Sequence, residues 1–475
     1  MSVRFLLNGE TVEIADVDPT ATLLDHLRYT MRRTGTKEGC AEGDCGACTV
    51  LLGELDGDAM AWRAVNACIL FLPMLHGRAL LTVESLAPAG ALNPLQACMA
   101  ANGSSQCGFC TPGFVMSLYG RCVGASGHDL PVADVLAGNL CRCTGYGPIL
   151  AAGEAVGTLP RDDRATVAAL KALSDGPGTS GQHSERRWFA PRSCAALADL
   201  LTEHPDARMV AGATDVGLWV TKGLRSIDTL IFLGDIAELQ GMEESPEGVQ
   251  LGAGVRYADA HGAFARLHPD LGELIRRIGG LQVRNAGTVG GNIANGSPIG
   301  DGPPAFIALG AQLTLRSKDG RRIMPLEDYF LDYGQQDRRP FEFVESLWIP
   351  RPGQDAVIHI AKLSRRFDSD ISAVCGAFHL TVRDGIIAAA RIAFGGMAAT
   401  PRRAPLCEAA LVGQPFTLAT MNQAATALRT DYTPLSDVRG SAAYRLDVAA
   451  NLLPRLWHQA QGQAVSVLDL DAVHG

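Results

Sequence analysis

Eight of the 13 cysteines stand in two arrays of four, both complete before residue 150. The first runs Cys40-x4-Cys45-x2-Cys48 and is completed by Cys68. The second consists of two tight pairs, Cys107-Gly-Phe-Cys110 and Cys141-Arg-Cys143. Four soft sulfur ligands converging on one small site, bound as thiolates, are what an iron–sulfide centre requires. Gly39, Gly43 and Gly46 stand among the first three ligands. Glycine permits a positive φ and lets backbone N–H groups approach the sulfurs. Two arrays in one chain point to two one-electron centres placed to exchange electrons.

The 40/45/48/68 spacing is the one that plant-type ferredoxins use for a [2Fe–2S] cluster. Zinc also takes four cysteines. The four-residue gap and the glycine density argue against zinc in the first array, whereas spacing alone leaves it open for 107/110/141/143. Disulfides are not expected. The chain shows no signal peptide and no apolar run long enough to span a membrane, so it reads as cytoplasmic, where thiols stay reduced. Cys98, Cys122, Cys194, Cys375 and Cys407 have no partners at ligand spacing and read as small buried hydrophobes. The 11 histidines form no pattern suited to a Rieske centre, and His26 and His76, in apolar stretches, read as packed. A net charge of −9 without a basic patch argues against nucleic-acid binding.

The elements that must position these groups follow from pattern. Residues 2–16 alternate about Asn8-Gly9, a two-residue hairpin signal. Leu23, Leu24, Leu27 and Met31 recur at helical spacing, and Thr49–Leu52 reads as a strand after the cysteine loop, so a small α+β module ends near residue 80. From 84 to about 155 the chain reads as helical. Asn93-Pro94 and Thr111-Pro112 are helix starts, which would put Cys110 and Cys143 near positive helix ends. Residues 158–184, with Gly176-Pro-Gly-Thr-Ser-Gly181, read as a linker. An α/β texture follows to about 350, and 355–465 alternates strands (Ile386–Phe394) with helices (Leu418–Leu428, Ala442–Leu456).

Two glycine-rich segments stand in that middle region, Val210-Ala-Gly-Ala-Thr-Asp-Val-Gly217 and Arg284-Asn-Ala-Gly-Thr-Val-Gly-Gly-Asn-Ile-Ala-Asn-Gly-Ser-Pro-Ile-Gly-Asp301. Such loops close on phosphate and offer N–H groups as an anion nest. Thr214, Thr288, Asn292 and Asn295 add side-chain donors, and Asp301 is suited to accept from ribose hydroxyls. Either segment alone reads equally as tight turns. Gly252-Ala-Gly254 lacks the third glycine of a Rossmann fingerprint.

Together, Gly39–Val50, Gln106-Cys-Gly-Phe-Cys-Thr-Pro-Gly113 and Gly138-Asn-Leu-Cys-Arg-Cys-Thr-Gly-Tyr146 resemble the two iron–sulfur signatures of the xanthine dehydrogenase (molybdenum hydroxylase) family. Segments 210–217 and 284–304 resemble that family's FAD-binding motifs. The resemblance implies a multidomain α+β chain. Its parts are a plant-type [2Fe–2S] ferredoxin-like β-grasp domain at 1–82, a four-helix [2Fe–2S] domain at 83–157, the linker at 158–184, a two-part α+β FAD-binding domain at 185–350 and an α+β C-terminal flavoprotein domain at 351–475.

Carried over residue by residue, the resemblance gives Cys40, Cys45, Cys48 and Cys68 to one cluster and Cys107, Cys110, Cys141 and Cys143 to the other. Met209, Val210, Ala211, Gly212, Ala213, Thr214 and Asp215, with Thr288, Gly291, Asn292, Asn295 and Asp301, are implied to bind FAD. Lys362 matches a lysine near the flavin, and Ile278 stands where relatives often carry an aromatic residue against the ring. Gln106 matches a glutamine that contacts molybdopterin across a subunit boundary. Arg365, Arg366 and Asp368 either shape the nicotinamide approach or form a solvated loop. No catalytic side chain is assigned. The implied activity is that of the small, electron-transfer subunit of a xanthine dehydrogenase, in an (αβ)2 assembly with a large molybdenum-cofactor subunit and with NAD+ as acceptor. The alternative is the same part of another molybdenum hydroxylase, acting on an aldehyde or aromatic substrate with a different acceptor.

Overall fold

A computed structural model describes residues 2–173 and 178–465. Part of the expected linker, 174–177, and the tail of the expected C-terminal domain, 466–475, lie outside the described residues. The chain divides into two compact units. One comprises Met1–Glu238, Arg256–Asp259 and Ile278–Thr288, and the other Leu239–Val255, Ala260–Arg277 and Val289–Gly475.

In the first unit the Asn8-Gly9 hairpin is present, with φ of 54° and 90° at its two turn residues, joining Val3–Leu7 to Glu10–Ile14. These strands open a five-stranded mixed sheet in the order Glu10–Ile14, Val3–Leu7, Ala79–Leu81, Thr49–Asp56, Ala59–Asn66. Strand alternation decides what each face buries. Val3, Phe5, Leu7, Val50, Leu52 and Leu80 share a core with Trp188, Val210, Leu230 and Phe232. Leu6, Leu51, Ala79 and Leu81 point the other way, onto Phe114, Met116, Leu118 and Ile149. A sheet buried on both faces accounts for the consecutive apolar residues Leu6-Leu7, Val50-Leu51-Leu52 and Ala79-Leu80-Leu81. Four α-helices, Pro94–Ala101, Thr111–Cys122, Val132–Leu136 and Gly147–Ala155, cover the second face. Asn93 starts the first of them with a capping box to Gln96.

The linker expectation is corrected. Arg164–Leu173 is a helix that buries Leu170 and Leu173 in the same core as Leu6 and Leu51. Gly178–His183 is a strand paired with Arg186–Pro191. Its glycine content has a packing cause, since a Cβ on Gly181 would lie 2.5 Å from the Trp188 indole nitrogen. That strand begins a four-stranded sheet in the order Gly178–His183, Arg186–Pro191, Thr229–Phe232, Arg208–Val210. The region expected to be one FAD domain, 185–350, contributes residues to both compact units, and in the first this sheet buries Trp188 and Phe232 with the ferredoxin-like strands.

The second unit holds a five-stranded antiparallel sheet in the order Met242–Glu244, Gly248–Gly252, Phe343–Pro350, Gln312–Ser317, Gly320–Pro325. Its helix Gly302–Leu309 is buried throughout. A four-stranded sheet, Ala356–Leu363, Val374–Arg383, Ile386–Gly395 and Arg402–Arg403, packs with helices Leu418–Asp431 and Ala442–Ala460 around Phe378, Phe394 and Leu453.

An ion network ties three segments of the first unit. Glu54 accepts from Arg78 Nε at 3.0 Å and from both Arg256 Nη atoms at 2.7 and 2.8 Å. Arg78 also reaches Asp235, and Arg63 reaches Asp259, both at 2.7 Å. Burial alone would raise the Glu54 carboxyl, but the charges of Arg78 and Arg256 outweigh it and hold the group well below the usual carboxylate range. A depressed folded-state pKa stabilises above the unfolded value, about 4.3 for glutamate, and that contribution is lost as pH falls through the folded value. Glu54→Gln is expected to lower the urea midpoint at neutral pH, as removing one partner of a buried pair costs roughly 3–5 kcal/mol. The gap to wild type should stay constant above about pH 5 and close at lower pH. A gap that persists unchanged well below pH 4 would rule out the charge assignment.

Candidate functional site

The first array lies between the start of strand Thr49–Asp56 and the end of strand Ala59–Asn66. Cys48 and Cys68 are buried, and Cys40 and Cys45 half-buried. The Cys40 thiol contacts those of Cys45 and Cys68, and Cys68 contacts Cys48. These thiol contacts, with the N–H groups of Glu42 and Asp44 at 3.4 Å, hold Cys40 far below the usual thiol range. The thiols stand in for the thiolates a metal would bind. Gly43 takes φ of +80° and Gly46 of +68°. Gly39 has a different reason to be glycine, because a Cβ there would sit 2.6 Å from Cys45 Sγ.

In the second array Cys143 Sγ donates to Cys107 Sγ at 3.1 Å, and Cys110 contacts Cys141. Burial pushes the Cys141 thiol up, but hydrogen bonds from the Thr144 hydroxyl and N–H outweigh it and hold the thiol at about 7. Cys110 precedes helix Thr111–Cys122 directly. Cys143 stands before Gly147–Ala155 with three residues intervening, too far for the terminal charge to act strongly. Gln106, Cys107, Phe109, Leu140, Arg142 and Cys143 are all exposed. Among the described residues no group of three or more His, Cys, Asp or Glu is placed around a single ion. Each array brings four thiols together, and a four-thiolate donor set fits a binuclear iron–sulfur cluster.

The two arrays meet through backbone. Leu140 N–H, beside Cys141, donates to the Cys45 carbonyl at 2.9 Å. A Cβ on Gly46 would lie 2.3 Å from the Gly138 oxygen, and one on Gly113 would lie 2.2 Å from the Gly46 oxygen. A buried polar knot locks this contact. Gln282 Nε2 stands within hydrogen-bond distance of Thr49 Oγ1, Ser117 Oγ and Asn139 Oδ1, at 3.1, 3.2 and 2.9 Å. Asn139 Nδ2 reaches the Gly46 oxygen at 3.1 Å. Sequence reasoning missed this knot. Asn139 lay inside a signature motif, but Gln282, in the four-residue helix Leu281–Arg284, carried no signal.

The expected FAD residues fall in both units. In the first, Met209 and Val210 end a strand, Ala211–Asp215 form the loop and Val216–Thr221 the helix. Ala213 takes φ of +57°. Gly212 stands so close to the second glycine-rich segment that a Cβ would meet the Ala286 oxygen at 1.8 Å. Asp215 accepts from Trp219 Nε1 at 2.9 Å. Thr288 is buried and bridges to Arg256, and the Ile278 carbonyl accepts from Arg284 at 3.4 Å. In the second unit, helix Val289–Asn295 carries Gly291, Asn292 and Asn295. Asp301 and Lys362 form a buried ion pair at 2.8 Å. Ser372 Oγ donates to the other Asp301 oxygen, and Lys362 Nζ donates to the Arg277 carbonyl at 3.0 Å. The Asp301 carboxylate, expected to face ribose, thus has two protein partners. Arg366 bonds within its own loop to Asp370, Asp368 lies 3.8 Å from Arg276, and the Arg277 guanidinium stacks over Phe367.

Residues 5–72 match the family described as "2Fe-2S iron-sulfur cluster binding domain" and 82–154 match "[2Fe-2S] binding domain". Residues 180–352 match "FAD binding domain in molybdopterin dehydrogenase", and 359–460 match "CO dehydrogenase flavoprotein C-terminal domain". The chain is 30% identical to xanthine dehydrogenase of Emericella nidulans over 97% of its own length and 39% of that protein. It is 32% identical to xanthine dehydrogenase of Drosophila pseudoobscura over 94% of its length and 38% of that protein. It therefore spans well under half of these relatives. Among solved structures, reconstituted CO dehydrogenase from Oligotropha carboxidovorans is 30% identical with a TM-score of 0.55, covering 58% of this chain and 98% of that one. The chain belongs to the molybdenum hydroxylase family, of which it is an iron–sulfur and FAD portion.

Proposed function

We propose that this chain is the electron-transfer part of a cytoplasmic xanthine dehydrogenase, linking a molybdenum cofactor on a partner chain to NAD+ through two [2Fe–2S] clusters and FAD. When bound, the clusters carry single electrons, and FAD collects two and delivers them as hydride. The single observation that carries the reading is the Leu140 N–H to Cys45 carbonyl bond, which joins the ligand loops of both arrays by a short backbone route. Cys40, Cys45, Cys48 and Cys68 hold one cluster, and Cys107, Cys110, Cys141 and Cys143 the other. Gly46 and Gly113 allow the loops to touch, and Gln282 and Asn139 keep them there. Met209–Asp215, Ile278, Thr288, Gly291, Asn292, Asn295 and Lys362 are assigned to FAD on the match over 180–352 and the resemblance of their motifs, and Asp301 acts by fixing Lys362. The exposed Gln106, Cys107, Phe109, Leu140, Arg142 and Cys143 form the face that receives the molybdenum-bearing chain in an (αβ)2 assembly.

The purine reading is supported by the relatives named xanthine dehydrogenase, and the likeness to CO dehydrogenase favours, as second reading, another substrate and acceptor. The test is to purify the native complex. It should contain molybdenum, about four irons and four sulfides per copy of this chain, and should reduce NAD+ with xanthine. The chain alone should pass electrons from NADH to a dye but leave xanthine untouched, and Gln106→Ala should depress xanthine turnover in the complex far more than the NADH–dye reaction. A complex that oxidises an aldehyde or aromatic substrate and no purine would establish the second reading. Xanthine oxidation by the single chain would refute both.

A further inference from the structure

Among the described residues, Asn66 is the only side chain with two buried polar atoms lacking a hydrogen-bond partner. Both Oδ1 and Nδ2 are orphaned, and the residue is 3% exposed. An unpaired buried polar group costs about 1–3 kcal/mol, so a fold that keeps two at one position has a use for them. Asn66 ends strand Ala59–Asn66. Its register partner is Thr49, next to Cys48, and it stands two residues before Cys68. Its Nδ2 is 3.7 Å from where a Cβ on Gly43 would stand. Gly43 belongs to the loop whose Glu42 and Asp44 N–H groups already point at Cys40 Sγ. The amide thus stands, unpartnered and buried, beside the loop that carries Cys40 and Cys45.

We infer that Asn66 Nδ2 donates a hydrogen bond to sulfur in the ferredoxin-type cluster site and raises that cluster's reduction potential. The inference rests on the assignment of a cluster to Cys40, Cys45, Cys48 and Cys68. Reduction adds a negative charge to the sulfur-rich centre, and a hydrogen bond to sulfur stabilises the more negative state more strongly. Asn66 is therefore a positioning and tuning residue that ligates nothing itself.

A redox titration of the full-length chain, followed by electron paramagnetic resonance, tests this with the second cluster as internal reference. Asn66→Leu and the equally sized Asn66→Asp both remove the NH2 donor. Each is expected to shift the reduced-to-oxidised ratio of one cluster about tenfold towards oxidised at fixed potential, about 59 mV for a one-electron couple. The other cluster should keep its midpoint, and the iron content of Asn66→Asp should stay at wild type. Unmoved midpoints in iron-replete Asn66→Asp overturn the inference, whatever Asn66→Leu does. If the wild-type chain shows one signal only, lost in Cys110→Ser and kept in Cys45→Ser, the cluster assignment itself falls and takes the inference with it.

Discussion

Cys45→Ser is expected to abolish one of two iron–sulfur signals in the reduced protein and leave the other, and Cys110→Ser is expected to do the reverse. Each substitution should lower bound iron from about four atoms to about two. The separation follows from geometry. Thiol contacts run within each array, Cys40 to Cys45 and Cys68 in one and Cys107 to Cys143 in the other. What joins the arrays is backbone, the Leu140 N–H on the Cys45 carbonyl, and serine at position 45 leaves that carbonyl in place. Replacing sulfur by a harder oxygen weakens iron binding at one site without loosening the polar knot of Gln282, Asn139 and Thr49 beside it. Iron and sulfide analysis with electron paramagnetic resonance of both variants decides the matter. One signal lost in both variants would mean a single shared centre, and the two-site assignment would fail.

The clustering of the cysteines was legible in the sequence because three members of the first array, and each pair of the second, are neighbours along the chain, and spacing of that kind is local. The Asn8-Gly9 hairpin and the proline-led helix at Thr111 were legible for the same reason. What was lost depends on distance. Helix Arg164–Leu173 buries Leu170 and Leu173 against a sheet built far upstream, and its short apolar stretch, set beside a glycine- and proline-rich run, read as linker. Gly181 looked like flexibility and proved to be clearance for Trp188. The three arginines around Glu54 come from two remote stretches of chain, and no window of sequence holds them together. Glycine in the cysteine loop was read as conformational freedom. That holds for Gly43 and Gly46, while Gly39 answers to contact with a sulfur.

Asp301 shows the same limit and carries the second large effect. Its position in a glycine-rich segment was legible, while its protein partners, which come from the strand Ala356–Leu363 and from Ser372, more than sixty positions away, were not. Asp301→Ala leaves the Lys362 ammonium buried without a counter-ion. Removing one member of such a pair costs roughly 3–5 kcal/mol, whereas replacing both by apolar groups of similar size is often close to neutral. Asp301→Ala is therefore expected to lower the urea midpoint of the second unit sharply and to reduce flavin content. Iron should stay at wild type, since every array cysteine lies in the first unit. Lys362→Met added to Asp301→Ala should recover most of the lost stability, with a coupling energy well above the about 0.5 kcal/mol seen between independent sites. Additive losses in that cycle would show that the two side chains do not stabilise one another. Loss of iron in step with flavin would show that Asp301 supports the whole chain rather than its own unit.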